Sequence, residues 1–180
     1  MLLAIYHDTT GLIHLLTASI ALLTGTMILF GRKGSRQHVR IGYIYTVSMV
    51  VMLATAFALY HLFGSFGIFH VLAVVSTITL AGGMLPFYVW GKTTKAMQFH
   101  FSFMYWSVIG LYAAFAAETL VRLQLVPFFW MVGAASGAVA MVGSIFFRKY
   151  KEHWSEVYAY PLEKKAIPPV PPAQEGLGSS

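Results

Sequence analysis

Five long apolar runs constrain this chain more than any other feature of its sequence. They fall near residues 10–30, 42–62, 67–90, 99–121 and 127–147. Each run has the roughly 20 residues that an α-helix needs to cross about 30 Å of hydrocarbon. Because a backbone inside a bilayer must satisfy its own hydrogen bonds, runs of this length form helices there. The sequence therefore predicts an all-α fold, a polytopic membrane helical bundle with five transmembrane helices.

The composition supports this fold and excludes several classes of function. Of the 180 residues, 58% are hydrophobic and only 10% are charged, which is far from the balance of soluble domains. The net charge of +6 is interrupted by the apolar runs, so it forms no continuous face for nucleic acid. With no cysteine in the chain, disulfides and thiolate metal sites are excluded.

The distribution of lysine and arginine predicts the orientation in the membrane. Eleven of the twelve lie in the first loop, the third loop or the C-terminal segment, and only Arg122 lies on the other side. Because positive loops stay in the cytoplasm, we expect the N-terminus outside and the C-terminus inside. The first residues lack the charged start and cleavage site of a signal peptide, so the first helix is expected to be retained, as in a bacterial inner membrane.

Three regions follow along the chain. Residues 1–150 are expected to form the transmembrane domain. Residues 151–165 are amphipathic and aromatic, which is typical of a segment lying at the interface. Residues 166–180 hold four of the seven prolines and are expected to be disordered or bound to a partner.

Four histidines form two pairs at equal depth, and they are the candidate cofactor-binding residues. His14 and His70 lie near the outer ends of the first and third segments, and His38 and His100 lie at the inner ends of the second and fourth. Neutral imidazoles are the axial ligands of b-type haem, so this layout suits one or two haems. A quinone site would use the same histidines. The competing interpretation is that histidines near helix ends only bind carbonyls or water.

A second interpretation of the outer residues is a metal site. His14, His61, His70 and Glu118, with His7 and Asp8 nearby, supply nitrogen and oxygen ligands that suit zinc, although no fixed ligand spacing supports it.

Glu118 also has a position on a helical stripe. The stripe runs along the fourth segment and should face the protein; its members are His100, Met104, Ser107, Leu111, Ala114, Glu118 and Arg122. Glu118 and Arg122 are spaced for an i,i+4 ion pair. The alternatives are a structural salt bridge and a carboxyl group that handles protons.

A family resemblance rests on these same residues. Its elements are a histidine followed by small residues (His14, Ala18, Gly25), a loop motif (Lys33, Gly34, His38, Arg40, Gly42, Tyr45) and a fourth-helix motif (His100, Met104, Ser107, Arg122). In these elements the chain resembles the bacterial predicted membrane proteins of domain-of-unknown-function family 2306. It departs in placing Val39 between histidine and arginine, and in having His61 and His70. The resemblance implies a helical membrane bundle and no particular activity.

Three classes of function remain. The sequence contains no complete catalytic motif, and its fifth segment carries a small-residue stripe that favours helix packing. These features favour a non-catalytic accessory or scaffold subunit of a larger membrane complex, contacted through the fifth segment and the proline-rich tail. The alternatives are an electron-transfer protein that binds b-type haem or quinone, and a metal-dependent membrane enzyme.

Overall fold

The chain folds into helices only, over the part that the computed structural model describes, residues 9–58, 66–123 and 127–154. The helices are α1 (Thr9–Phe30), α2 (Arg36–Ala58), α3 (Ile68–Met84), α4 (Pro86–Trp90), α5 (Thr94–Val121) and α6 (Phe128–Trp154). With α3 and α4 counted together, five spans are long and apolar enough to cross a membrane. The predicted helical bundle and its five spans are confirmed, whereas the direction in which it crosses the membrane stays a prediction.

Two helices begin earlier than their apolar runs, because polar residues cap them. The Ser35 hydroxyl accepts the His38 N–H at 3.0 Å, and the Thr93 hydroxyl accepts the Ala96 N–H at 3.2 Å. A cap of this kind satisfies a backbone donor that the first helical turn leaves unpaired. His38 and His100 therefore sit on regular helix and have fixed orientations.

The third span is broken near its end, which the apolar pattern did not predict. Pro86 has no N–H to continue the hydrogen-bond ladder, and its ring blocks the preceding turn. The chain leaves α3 at Met84 and begins the short α4 at Pro86. The break lies one turn from the place where α3 meets His100.

Helices α1, α2, α3 and α5 form a four-helix ring. Helix α1 packs on α2 and α5, and α3 packs on the same two neighbours. In the described ranges, the backbones of α2 and α5 make no direct contact, nor do those of α1 and α3. These helices therefore face each other diagonally across the core and meet only through side chains.

The interior of the ring is filled by side chains from all four helices. Tyr45, Met49 and Val108 are among the largest fully buried residues. Helix α6 lies against α5 and is tied to it by the Tyr105 hydroxyl, which donates to the Gly143 carbonyl at 2.7 Å. The predicted inward stripe of α5 is confirmed at Met104, Ser107 and Leu111, which are buried.

The predicted boundary at residue 150 falls inside α6, which continues to Trp154. The rest of the segment 151–165 and the tail 166–180 lie outside the described residues. We call the end of the bundle with the basic loops the basic end. It carries the start of α2, the start of α5 and the end of α6, and the other end is called the opposite end.

Candidate functional site

Two histidines meet across the diagonal of the ring at the basic end. His38 on α2 and His100 on α5 have ring centroids 6.5 Å apart, and their planes are nearly perpendicular at 84°. The sequence predicted only that they lie at the same depth. The structure adds that their side chains are neighbours, and we call them the His38–His100 pair.

The hydrogen bond of His100 determines which of its nitrogens has a free lone pair. Its Nδ1 lies 2.8 Å from the Gly83 carbonyl oxygen. Because a carbonyl can only accept, Nδ1 must carry the hydrogen, so in the neutral ring the lone pair is on Nε2. The break at Pro86 explains why that carbonyl is available, since carbonyls at a helix end lack helical donors. Sequence reasoning missed Gly83 and Pro86, although a proline inside an apolar run is the signal for such a break.

His38 is half-buried, and one of its polar atoms is buried without a partner. Its Nδ1 has no hydrogen-bond partner within the described chain. Gly42, one turn along α2, leaves open space, because a Cβ placed there would meet no atom within 4 Å. The Phe87 ring packs against His100 with centroids 4.9 Å apart. Aromatic carbon therefore covers part of His100, and α2 carries no side chain at Gly42, one turn from His38.

Lys33 lies within electrostatic range of His38. Its ammonium group donates to the Leu29 carbonyl at 2.6 Å and to the neighbouring carbonyls of Ile28 and Gly31, so it caps the end of α1. Burial lowers the pKa of the Lys33 amine below its ordinary value of 10.5. Lys33, in the loop between α1 and α2, therefore closes the end of α1.

At the opposite end, His14 is held by α2. Its Nδ1 lies 3.2 Å from the Met52 carbonyl and 3.1 Å from the Thr55 hydroxyl oxygen. The Thr55 hydroxyl donates to the Met52 carbonyl at 2.8 Å, so its oxygen accepts from the ring. Nδ1 of His14 thus carries a hydrogen, and Nε2 is the nitrogen left for another partner.

The carboxyl group of Glu118 on α5 lies within electrostatic range of His14 on α1 and of Arg122 on its own helix. The sequence predicted the pair Glu118–Arg122 from i,i+4 spacing. That His14 is also a neighbour could not be predicted, because it depends on how α1 and α5 pack.

His70 has the reverse tautomer. Its Nδ1 accepts the Gly67 N–H at 3.1 Å, so the hydrogen of the neutral ring is on Nε2. Its ring packs between Phe66 and Phe57, with centroids 5.0 and 6.5 Å away. This arrangement is a capped helix start, and Nε2 offers no lone pair to a metal.

The zinc set His14, His61, His70 and Glu118 stays a prediction, since His61 lies outside the described residues. Among residues that are described, no group of three or more potential metal ligands is found.

Two further polar contacts lie between the ends of the ring. The Tyr45 hydroxyl on α2 and the Ser107 hydroxyl on α5 are 2.8 Å apart, across the same diagonal as the His38–His100 pair. The hydroxyls of Thr26 and Tyr112 form another hydrogen bond between α1 and α5. Sequence reasoning named Tyr45 and Ser107 but did not pair them.

No protein family, curated protein or solved structure was found to match this chain. The resemblance to family 2306 stays a prediction.

Proposed function

We propose that this membrane protein binds a b-type haem between His38 and His100 and transfers electrons at the basic end of the bundle. The observation that carries the proposal is the His38–His100 pair itself. Two rings from diagonal helices lie next to each other in an edge-on arrangement, and the Nδ1 of His100 is already bonded to a backbone carbonyl.

The separation of the rings suits ligation of one iron. Two imidazoles on opposite sides of a metal ion, with metal–nitrogen distances of about 2.0 Å, have ring centres roughly 6 Å apart. The observed centroids are 6.5 Å apart. A perpendicular arrangement of the two planes is compatible with ligation from opposite sides.

The groups around His38 and His100 also suit ligation of a haem iron by these two histidines. A ligating histidine commonly donates its other ring N–H to a carbonyl, as His100 does to Gly83, and this bond fixes its orientation and makes it a stronger ligand. The Nδ1 atom of His38 is buried and has no hydrogen-bond partner in the described chain. Such a group is costly to bury, and coordination would satisfy it.

The chain's own residues would hold and shield the cofactor. His38 and His100 would supply the ligating nitrogens, and the Phe87 ring, which packs against His100, would shield them on that side. Bound haem supplies reversible one-electron chemistry. The positive charge of the basic residues at this end would attract the negatively charged propionate groups of the haem.

An absorption spectrum of the full chain tests the proposal. The protein is expressed with added haem, purified in mild detergent and measured oxidised and reduced. We expect the sharp α-band of a low-spin haem with two imidazole ligands, and we expect its loss in both His38→Ala and His100→Ala. His153→Ala is the matched control, because His153 is an exposed histidine at the basic end. It should keep the wild-type spectrum.

A featureless spectrum with no bound iron would overturn the proposal. So would a spectrum that survives both substitutions. If solvent extraction of the featureless protein yields a quinone, the pair binds quinone by hydrogen bonds and the haem proposal fails.

A second candidate function, an accessory subunit, is favoured by the free face of α6. Gly133 and Gly137 are exposed, and a Cβ added at either would meet nothing within 4 Å. In a membrane, such small-residue faces allow close approach of another helix. The partner would be a helix of a larger membrane complex.

The test is purification from the native membrane after mild cross-linking. We expect a complex of fixed stoichiometry, weakened by Gly137→Leu and unchanged by Val142→Leu, which enlarges an exposed side chain on the same helix. A monodisperse monomer from the native membrane would contradict this function.

A further inference from the structure

A hydrogen bond crosses the core on the same diagonal as the His38–His100 pair. It joins the Tyr45 hydroxyl on α2 to the Ser107 hydroxyl on α5, with 2.8 Å between the two oxygens. Tyr45 follows His38 by seven residues, and Ser107 follows His100 by seven. Seven residues are about two turns of helix, or about 10 Å along its axis. The histidine contact and the tyrosine–serine contact therefore form two successive layers between the same faces of α2 and α5.

The separation of α2 and α5 depends on side chains, because their backbones make no direct contact in the described ranges. Tyr45 and Ser107 supply such a contact, and both are fully buried, so water has no access to the bond between them. A hydrogen bond has a narrow range of favourable lengths and angles. In these surroundings it fixes how far apart the two helices lie.

Gly25 on α1 leaves the space through which the Tyr45 ring reaches α5. A Cβ placed on Gly25 would lie 3.1 Å from Cε2 of Tyr45 and 3.4 Å from Cγ1 of Val108. Because a packed interior has little free volume, a larger residue at this position would push the ring from its path to Ser107. The contact across the diagonal is thus built by residues of three helices.

We propose that Tyr45 and Ser107 are positioning residues for the His38–His100 pair, and that their hydrogen bond holds α2 and α5 at the separation at which both imidazoles reach one haem iron. The proposal rests on the haem site proposed above. The bond is present before the cofactor arrives, so it makes the binding geometry the populated one. A chain that already has this geometry binds its ligand more tightly, since less ordering remains to be done on binding.

Distance measurements on the haem-free chain in lipid nanodiscs test the positioning directly. Because the chain has no cysteine, spin labels can be attached at Gln37→Cys on α2 and Gln98→Cys on α5, two exposed positions near the histidines. Pulsed electron paramagnetic resonance should give one narrow distance distribution for this labelled protein. Tyr45→Phe, which removes the hydroxyl and keeps the ring, should broaden or shift the distribution. Ser107→Ala should act in the same direction.

Tyr112→Phe is the matched control. The Tyr112 hydroxyl on α5 also bonds to a hydroxyl of another helix, that of Thr26 on α1, but α1 and α5 already pack on each other directly. The control variant loses the same kind of hydrogen bond, so a general loss of stability would appear in it too. Its distance distribution should stay that of the labelled protein without further substitution.

Titration with haem gives the second readout. Tyr45→Phe should lower the affinity for haem by about fivefold, which corresponds to the loss of one hydrogen bond. Tyr112→Phe should change the affinity by less than about twofold, because the bond that it removes does not hold α2 against α5.

Unchanged distance distributions in both Tyr45→Phe and Ser107→Ala would overturn the proposal, and so would an equal change in Tyr112→Phe. An unaltered affinity for haem in Tyr45→Phe would overturn it as well. The distance measurement needs no haem, so failure of the positioning and failure of the haem site are distinguishable.

Discussion

At the scale of single residues, the hydrogen bond between Tyr45 and Ser107 joins two helices whose backbones do not touch. Both side chains are fully buried. Removing one hydroxyl group leaves the other without its hydrogen-bond partner, but the two removals are not equivalent. A serine hydroxyl in a helix can turn to a carbonyl of the preceding turn, whereas the Tyr45 hydroxyl has no such alternative.

We therefore expect Ser107→Ala to cost more stability than Tyr45→Phe. The values should be about 1–2 kcal/mol for Ser107→Ala and about 0.5 kcal/mol for Tyr45→Phe. The unfolding free energy of the double variant should be close to that of Tyr45→Phe alone, since neither protein has a buried hydroxyl group without a hydrogen-bond partner. Reversible unfolding in mixed micelles measures all three. Equal costs for the two single variants would contradict the argument.

Lys33 gives a prediction on pH, because it lies between the spans and its pKa is lowered by burial. In the folded chain the charged amine is disfavoured, so between the lowered pKa and 10.5 the unfolded chain binds more protons. The unfolding free energy of the wild type should therefore rise relative to that of Lys33→Met as the pH approaches 10.5. Because both proteins share all other titratable groups, the difference between their unfolding free energies isolates the effect of Lys33. A difference that is flat or falls with pH would rule out a buried, disfavoured charge.

At the scale of helices, α3 and α5 approach closely at Gly83, beside the bond to His100. A Cβ on Gly83 would lie 2.6 Å from the Met104 sulfur and 3.2 Å from the Met104 backbone nitrogen. The sulfur can move, but the backbone cannot do so without shifting a helix.

Gly83→Ala should therefore destabilise the bundle by about 1–3 kcal/mol, the usual cost of overpacking. It should also disturb the Gly83–His100 hydrogen bond, and so change the absorption spectrum of the proposed haem complex. Gly133→Ala is the control, since nothing lies within 4 Å and alanine favours helix by about 1 kcal/mol. Thermal unfolding of both variants in detergent is the measurement. Equal stability of the two would show that α3 can move away freely.

The helices themselves follow from the sequence, but their ends and contacts follow only in part. Length and apolarity determine the five spans, and the periodicity of α5 predicts that Met104, Ser107 and Leu111 face inward. The early starts of α2 and α5 depend on single caps, Ser35 and Thr93, which are weak signals beside an apolar run. The tautomers of His14 and His100 depend on hydrogen-bond partners distant in sequence, and periodicity within one helix contains no such information.

At the scale of the whole molecule, the ring has chemically different ends. The basic end combines the His38–His100 pair with most of the lysines and arginines, and the opposite end combines His14, Glu118 and Arg122. Which end faces the cytoplasm decides from which side the His38–His100 pair is reached. The excess of positive charge predicts that the basic end is cytoplasmic.

The absence of cysteine from the chain makes this orientation directly measurable. Gln37→Cys places one exposed thiol at the basic end, and Leu123→Cys places one at the opposite end. In intact bacterial cells freed of their outer membrane, a membrane-impermeant maleimide should label Leu123→Cys at once. Gln37→Cys should be labelled only after the membrane is opened. The wild-type chain gives the background, and the reverse pattern would place the His38–His100 pair on the outer side.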